Sequence, residues 1–238
     1  MKTAIAQALL HFGILSVFFL LACRQTKRMP VKEWGLFFLV LLMDYIILMK
    51  TPRPSFLSGS SFSWHNKIFE ANLGLLFMLL YRKISFREYG LTAKMERGSL
   101  KPIVIVFLLL TVLVNARHYI SNGFSTPGTE SLFYFATMPG IAEELVFRGV
   151  LLALVNSAFG KPWKIFGTQL GWGFIIVSVL YGLLHGLTLD GDVKVKFDLA
   201  RLFTTMLIGF ALAWAKEKSG SLLPGVIGHN LINLAGAF

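Results

Sequence analysis

The sequence predicts an all-α fold, a polytopic membrane helix bundle of about eight transmembrane helices, and three observations carry that reading. The chain of 238 residues is 55% hydrophobic. Only 15% of it is charged, where soluble domains run at about 25%. Apolar runs recur along the whole length, each close to the ~20 residues a helix needs to cross the hydrocarbon core. Proline, glycine and basic residues gather between those runs, where they end helices and anchor loops. No internal repeat, low-complexity segment or soluble linker interrupts the pattern, so residues 1–238 read as a single integral membrane domain.

The expected spans are residues 4–22, 34–49, 66–81, 102–117, 132–157, 171–188, 199–215 and 222–237; the second and third are short and the fifth is long. Behind the first stand Arg24, Lys27, Arg28 and Lys32, a stop-transfer flank. Cys23 after Leu20-Leu21-Ala22 also imitates the end of a lipoprotein signal, but the length of the apolar run and its basic flank favour a span. As the only cysteine, Cys23 excludes an intramolecular disulfide framework and a multi-cysteine metal site. Thr51-Pro52-Arg53-Pro54 and Thr126-Pro127-Gly128 mark connections, and Pro102 and Pro224 stand where helices begin.

Lys and Arg outnumber Asp and Glu by 23 to 12, a formal net charge of +11. In short loops beside spans, that excess sets orientation and meets anionic lipid rather than nucleic acid. The odd-numbered loops carry 14 bases, against 7 on the opposite side, where Lys67 and Arg117 are counted. The expectation is a multi-pass protein of a bacterial plasma or inner membrane with odd loops cytoplasmic and both termini outside. The loop from Arg82 to Lys101 supplies most of the signal, as a topology anchor. Asp190, Asp192 and Asp198, around Lys194 and Lys196, lack the ligand spacing of a calcium site and read as a solvated loop.

The fifth span contains Glu143-Glu144-Leu145-Val146-Phe147-Arg148-Gly149. At the middle of a membrane helix each charged group costs about 2.5–3.5 kcal/mol even on the mildest scales, so the three must pair and face the bundle interior. Glu144 and Arg148, four apart, share a face, and Glu143 is rotated about 100° away. Glu144 is therefore expected to pair with Arg148 while Glu143 stays free to act as a base. An ion-paired lock between helices is the competing structural reading. His185 ends the sixth span in Tyr181-Gly182-Leu183-Leu184-His185-Gly186, where it could equally be packed or interfacial. His229 and Asn233 share a face of the last span and can aim donors at one developing oxyanion, or bond to neighbouring helices. Together, Glu143 with His185 would activate water and His229 with Asn233 would bind an oxyanion. His11, His65 and His118 have no partner pattern and read as structural or interfacial.

With those residues the sequence resembles the CAAX protease and bacteriocin-processing (CPBP, or Abi) family of intramembrane endopeptidases, related to the Ras-converting CAAX endopeptidases. The family pattern is Glu-Glu-x-x-x-Arg, then an aromatic-x-x-x-His, then His-x-x-x-Asn. Glu143, Glu144 and Arg148 match the first element, Tyr181 and His185 the second, His229 and Asn233 the third. Tyr181 stands where phenylalanine is usual. The likeness runs from about Phe133 to the C-terminus and includes Lys218-Ser219-Gly220-Ser221-Leu222. It implies a catalytic core over residues 131–238, with variable N-terminal spans over 1–130. It also implies that Glu143 and His185 activate the water, that His229 and Asn233 bind the oxyanion, and that Glu144 with Arg148 orients the centre. No cofactor is expected; zinc on Glu143, His185 and His229 is the lesser alternative, because Asn233 suits an oxyanion hole better than a zinc site.

The function so implied is endoproteolysis of a membrane-anchored or exported protein or peptide, with lipid as the other partner. Two other classes stay open: a proton-coupled transporter using the same ionisable groups as a relay, and a non-catalytic scaffold or immunity protein of the same fold. The centre is expected to open toward the outer leaflet, at the end of the bundle where His185 and Asn233 lie.

Overall fold

The computed structural model describes residues 2–123 and 126–237, without the side chains of residues 117, 118, 121 and 122. His118 and the loop base Arg117 thus lie outside the described residues. The N-terminal helices are α1 (Lys2–Thr26), α2 (Val31–Lys50), α3 (Trp64–Leu80), the short α4 (Phe86–Tyr89) and α5 (Leu100–Asn122). Then come α6 (Thr129–Glu143), a π-helical segment (Glu144–Leu151) and α7 (Leu152–Phe159), which follow one another without a break. The chain ends with α8 (Trp172–Gly186), α9 (Leu199–Ser219) and α10 (Leu223–Ala235).

Each of the eight expected apolar segments is helical, so the chain is mostly α. By length and composition, two helices suffice to cross a membrane, Lys2–Thr26 and Leu199–Ser219; Leu100–Ala116 and Trp172–Gly186 are shorter apolar helices. The eight expected segments are therefore present as helices, two of which meet the length and composition of a membrane span. The helical fold agrees with the all-α expectation, and two small antiparallel hairpins accompany the helices. One joins β1 (Trp163–Ile165) to β2 (Thr168–Leu170), the other β3 (Leu187–Leu189) to β4 (Val195–Phe197). The second contains the acidic loop, whose tip is turned by Asp190 accepting from the backbone of Asp192 and Lys194.

The exterior is apolar: Leu9, Val17, Leu20, Leu80, Leu109, Val112, Leu113 and Leu207 are all exposed. The interior holds Asp44, Glu70, Glu144, Arg148 and His229. A soluble domain has the reverse distribution, and an apolar solvent favours this one because lipid cannot hydrate the buried groups.

Small residues bring the site helices together. A Cβ on Gly186 would lie 2.3 Å from Leu202 Cβ, and one on Gly182 2.8 Å from Leu202 O, so α8 and α9 meet backbone to backbone. On the other side, Gly140 of α6 lies under Val226 and Asn230 of α10. Asn230 Oδ1 accepts from Gly140 N at 2.7 Å and its amide donates to Thr137 O at 3.0 Å. Helix α3 is fastened beside α6 at its N-terminal end, where Glu130 accepts from the Ser60 hydroxyl, from Ser61 N at 3.1 Å and from the Trp64 indole at 3.0 Å.

The structure also moves two bases out of the loop count. Lys67 lies within α3, paired inside the bundle, and Lys216 is buried near the end of α9, donating to Glu88 O at 2.9 Å. Each of the two opposed sides loses one base, and the asymmetry stays. His11 is packed, held between the Tyr45 hydroxyl and Leu187 O, and His65 is buried in α3.

Candidate active site

Glu143 ends α6 and Glu144 opens the π segment, so the motif lies where the helix widens from i→i+4 to i→i+5 bonding, a change often found at functional positions. Arg148 Nη1 donates to Glu144 Oε1 at 2.9 Å, with both side chains fully buried. The guanidinium also lies 4.4 Å from the Tyr181 ring centre and reaches Gly209 O at 3.5 Å. The expected Glu144–Arg148 pairing is thus present.

The same Glu144 oxygen lies 2.9 Å from His229 Nδ1. A carboxylate can only accept, so Nδ1 carries the proton, and Nε2 faces the Tyr181 hydroxyl at 3.1 Å and Glu143 Oε2 at 3.7 Å. A carboxylate behind one ring nitrogen fixes the ring's tautomer and orientation, the arrangement that holds a catalytic histidine in place elsewhere. His185 is set differently. Its Nδ1 donates to Tyr181 O at 2.9 Å, one helical turn back, which makes Nε2 the acceptor of the neutral ring.

Glu143 is not free, and this corrects the sequence expectation. Lys67 Nζ lies 2.7 Å from Glu143 Oε1 and 2.7 Å from Glu70 Oε2. The physical reason is charge balance: Glu-Glu-x-x-x-Arg brings two carboxylates and one cation, and Arg148 is consumed by Glu144. The second carboxylate takes its cation from α3.

Tyr181, His185, His229 and Asn233 line one cavity of about 630 Å³, closed on its flanks by Val114, Phe135 and Ile232 and edged by Asp198 and Arg201. The rim is formed by the start of α9 and the end of α10, the end of the bundle where the Leu187–Phe197 hairpin lies. Glu143 stands behind His229 rather than on the cavity wall, and no hydrogen bond joins it to His185 among the described residues. Its electrostatic neighbours are Lys67, His229 and His185. All six motif residues are therefore grouped around His229, but as a cavity layer (His185, His229, Asn233) over a charged layer (Glu143, Glu144, Arg148).

A zinc ion does not fit the residues named for it. Among the described residues no three His, Cys, Asp or Glu side chains converge as a ligand set. The Lys67 ammonium occupies one Glu143 oxygen, and the Tyr181 hydroxyl faces Nε2 of His229.

Four residues of this neighbourhood were not singled out from the sequence: Asp44, Lys67, Glu70 and Asn230. Three are ionisable groups inside apolar helices, the signal that marks functional positions in membranes. Asn230 differs in kind, since its bonds to Thr137 and Gly140 tie α10 to α6 and leave Asn233 to the cavity.

Residues 125–235, a span containing every one of the six motif positions, match the family model described as type II CAAX prenyl endopeptidase Rce1-like. The C-terminal part of the chain is thus similar to Rce1-like domains. That agrees with the resemblance carried by the three motifs, and it supports a membrane protease function for the chain. No curated protein and no solved structure matches. The Rce1-like segment begins after α5, so Lys67 and Glu70 reach the site from α3, a helix outside it.

Proposed function

We propose that this chain is an intramembrane endopeptidase that hydrolyses a peptide bond of a membrane-anchored or exported substrate with a water activated by Glu143 and His185. The observation that carries the reading is the cavity whose wall holds an acceptor nitrogen on His185, a carboxylate-backed His229 and the Asn233 amide, in an otherwise apolar bundle. In the proposed reaction, His185 Nε2 takes one proton from the water as its oxygen adds to the scissile carbonyl, and the Glu143 carboxylate behind His229 stabilises the charge this leaves on His185. The negative charge that develops on the carbonyl oxygen is met by a donor on His229 Nε2 and by the Asn233 amide, with Glu144 stabilising the charged imidazole. The stored proton then passes to the leaving amine. Arg148 neutralises Glu144 and, stacked on Tyr181, fixes the helix that bears His185. A cavity of about 630 Å³ lies within the ~300–1,000 Å³ usual for binding clefts and accepts a few residues of extended peptide.

The test is cleavage of a farnesylated, internally quenched peptide ending in a CAAX sequence by the protein in liposomes, with products read by mass spectrometry. Cleavage that is lost in Glu143→Ala, His185→Ala and His229→Ala supports the assignment, and cleavage that persists in all three overturns it. Proton flux across sealed vesicles that appears without cleavage and is abolished by Glu143→Gln would instead favour a carrier.

A further inference from the structure

We infer that Lys67, from the N-terminal half of the chain, is a positioning residue of this centre, and that Glu70 holds it there. The inference rests on the function proposed above. Its geometric basis is the pair of 2.7 Å contacts that Lys67 Nζ makes to Glu143 Oε1 and Glu70 Oε2, with the three side chains 13%, 14% and 0% exposed. A carboxylate at that depth needs a counter-cation, and Arg148 is committed to Glu144. Lys67 is the remaining cation in contact with the motif among the described residues.

The ammonium does more than balance charge, because it binds one oxygen of Glu143 and not the other. Oε1 is turned to α3, and Oε2 is left facing His229 at 3.7 Å, on the side of the cavity. Glu70, three residues on along the same helix, shares the ammonium and restrains a side chain that would otherwise have four flexible bonds. The helix that carries this group is braced at both ends of the contact. Glu130 clamps the start of α3 to the start of α6, and Gly74 lets Leu145 of the π segment approach to 3.0 Å of where a Cβ would stand.

The charged and titratable groups facing Glu143 come from every element around it. They are Lys67 and Glu70 on α3, Asp44 on α2, Tyr134 on α6, Tyr181 and His185 on α8, and His229 on α10. Asp44 is fully buried and neither of its oxygens has a hydrogen-bond partner, so it supplies no cation and no donor to replace Lys67.

The experiment compares Lys67→Met, Lys67→Arg and Glu143→Gln in liposomes against the same farnesylated peptide. Lys67→Met is expected to lower kcat about 10²-fold with KM changed less than about threefold, the signature of a misplaced catalytic group rather than lost binding. Lys67→Arg is expected to recover at least about tenfold of that loss. If Glu143→Gln is inactive but Lys67→Met keeps kcat within about threefold, the inference fails and the proposed function stands. If Glu143→Gln retains activity, or the wild-type protein leaves the peptide whole, the proposed function fails in that form. A thermal-denaturation cycle in detergent then decides the coupling without turnover. Lys67→Met should lower the midpoint, and adding Glu143→Gln should restore part of the loss by removing the stranded carboxylate. Strictly additive losses would overturn the inference.

Discussion

Replacing Arg148 with leucine removes the guanidinium paired with Glu144, and the consequence can be sized from the contacts. Both side chains of the pair are fully buried at 2.9 Å, and the second Glu144 oxygen already lacks a partner. Breaking such a pair from one side costs about 3–5 kcal/mol, since the other charge is left behind. His229 Nδ1 remains at 2.9 Å from the carboxylate and offsets part of that cost, which points to the lower end. The lost stacking on Tyr181, with the guanidinium 4.4 Å from the ring, adds up to about 2 kcal/mol for a desolvated contact. We expect Arg148→Leu to destabilise the protein by about 3–5 kcal/mol, measured by reversible unfolding in mixed micelles. Arg148→Lys, which cannot reproduce the fork, should fall between. The double variant Arg148→Leu/Glu144→Leu should recover stability relative to Arg148→Leu. A loss below about 1 kcal/mol, the range of an exposed pair, or a double variant less stable than Arg148→Leu, would refute the reasoning.

Further outcomes follow from other contacts. Gly186→Ala puts a methyl 2.3 Å from Leu202 Cβ and 2.7 Å from its backbone nitrogen. It should separate α8 from α9 and lower both stability, by about 1–3 kcal/mol, and cleavage; unchanged activity and stability would show that the approach is not tight. Tyr181→Phe loses a hydroxyl 3.1 Å from His229 and keeps the ring beneath Arg148. With a neutral hydrogen bond worth about 0.5–1.5 kcal/mol, cleavage should fall no more than about tenfold. Glu130 is held by the Ser60 hydroxyl, the Ser61 backbone and the Trp64 indole, which pull its carboxyl down from 4.5 to about 2. A depressed value means that the clamp contributes fully above the ordinary value and is lost as pH falls through about 2. The melting difference between the protein and Glu130→Gln should therefore be present at about pH 5 and shrink toward pH 2. A difference that grows on acidification would contradict the assignment.

How much of this was legible in the sequence depends on what each feature is made of. The helical segments were readable because apolar length is a local property, and Glu144 with Arg148 was readable because both partners lie on one helix face. The cavity residues His185, His229 and Asn233 could be grouped because each stands out against an apolar background. Lys67 could not be joined to Glu143 from spacing, since 76 residues separate them and their meeting depends on how α3 packs on α6. Its place at the second position of an expected span made it look like a loop base. Glu70 and Asp44 sat in plain view within Phe69-Glu70-Ala71 and Met43-Asp44-Tyr45, and the cost of ionisable groups in lipid was sufficient reason to single them out. The two hairpins escaped because strands of three residues carry too little alternation to read. The π segment escaped for another reason, as its hydrogen-bond shift leaves no mark on composition.

The central claim is that a water activated by Glu143 cuts a peptide bond in the membrane. The measurement that reaches it most directly is single-turnover cleavage of the farnesylated peptide in ¹⁸O-labelled water, by the protein and by Glu143→Gln. The account predicts one labelled oxygen in the new carboxylate and a rate lowered about 10²–10⁴-fold by the substitution. Cleavage by Glu143→Gln within about threefold of the wild-type rate would contradict it.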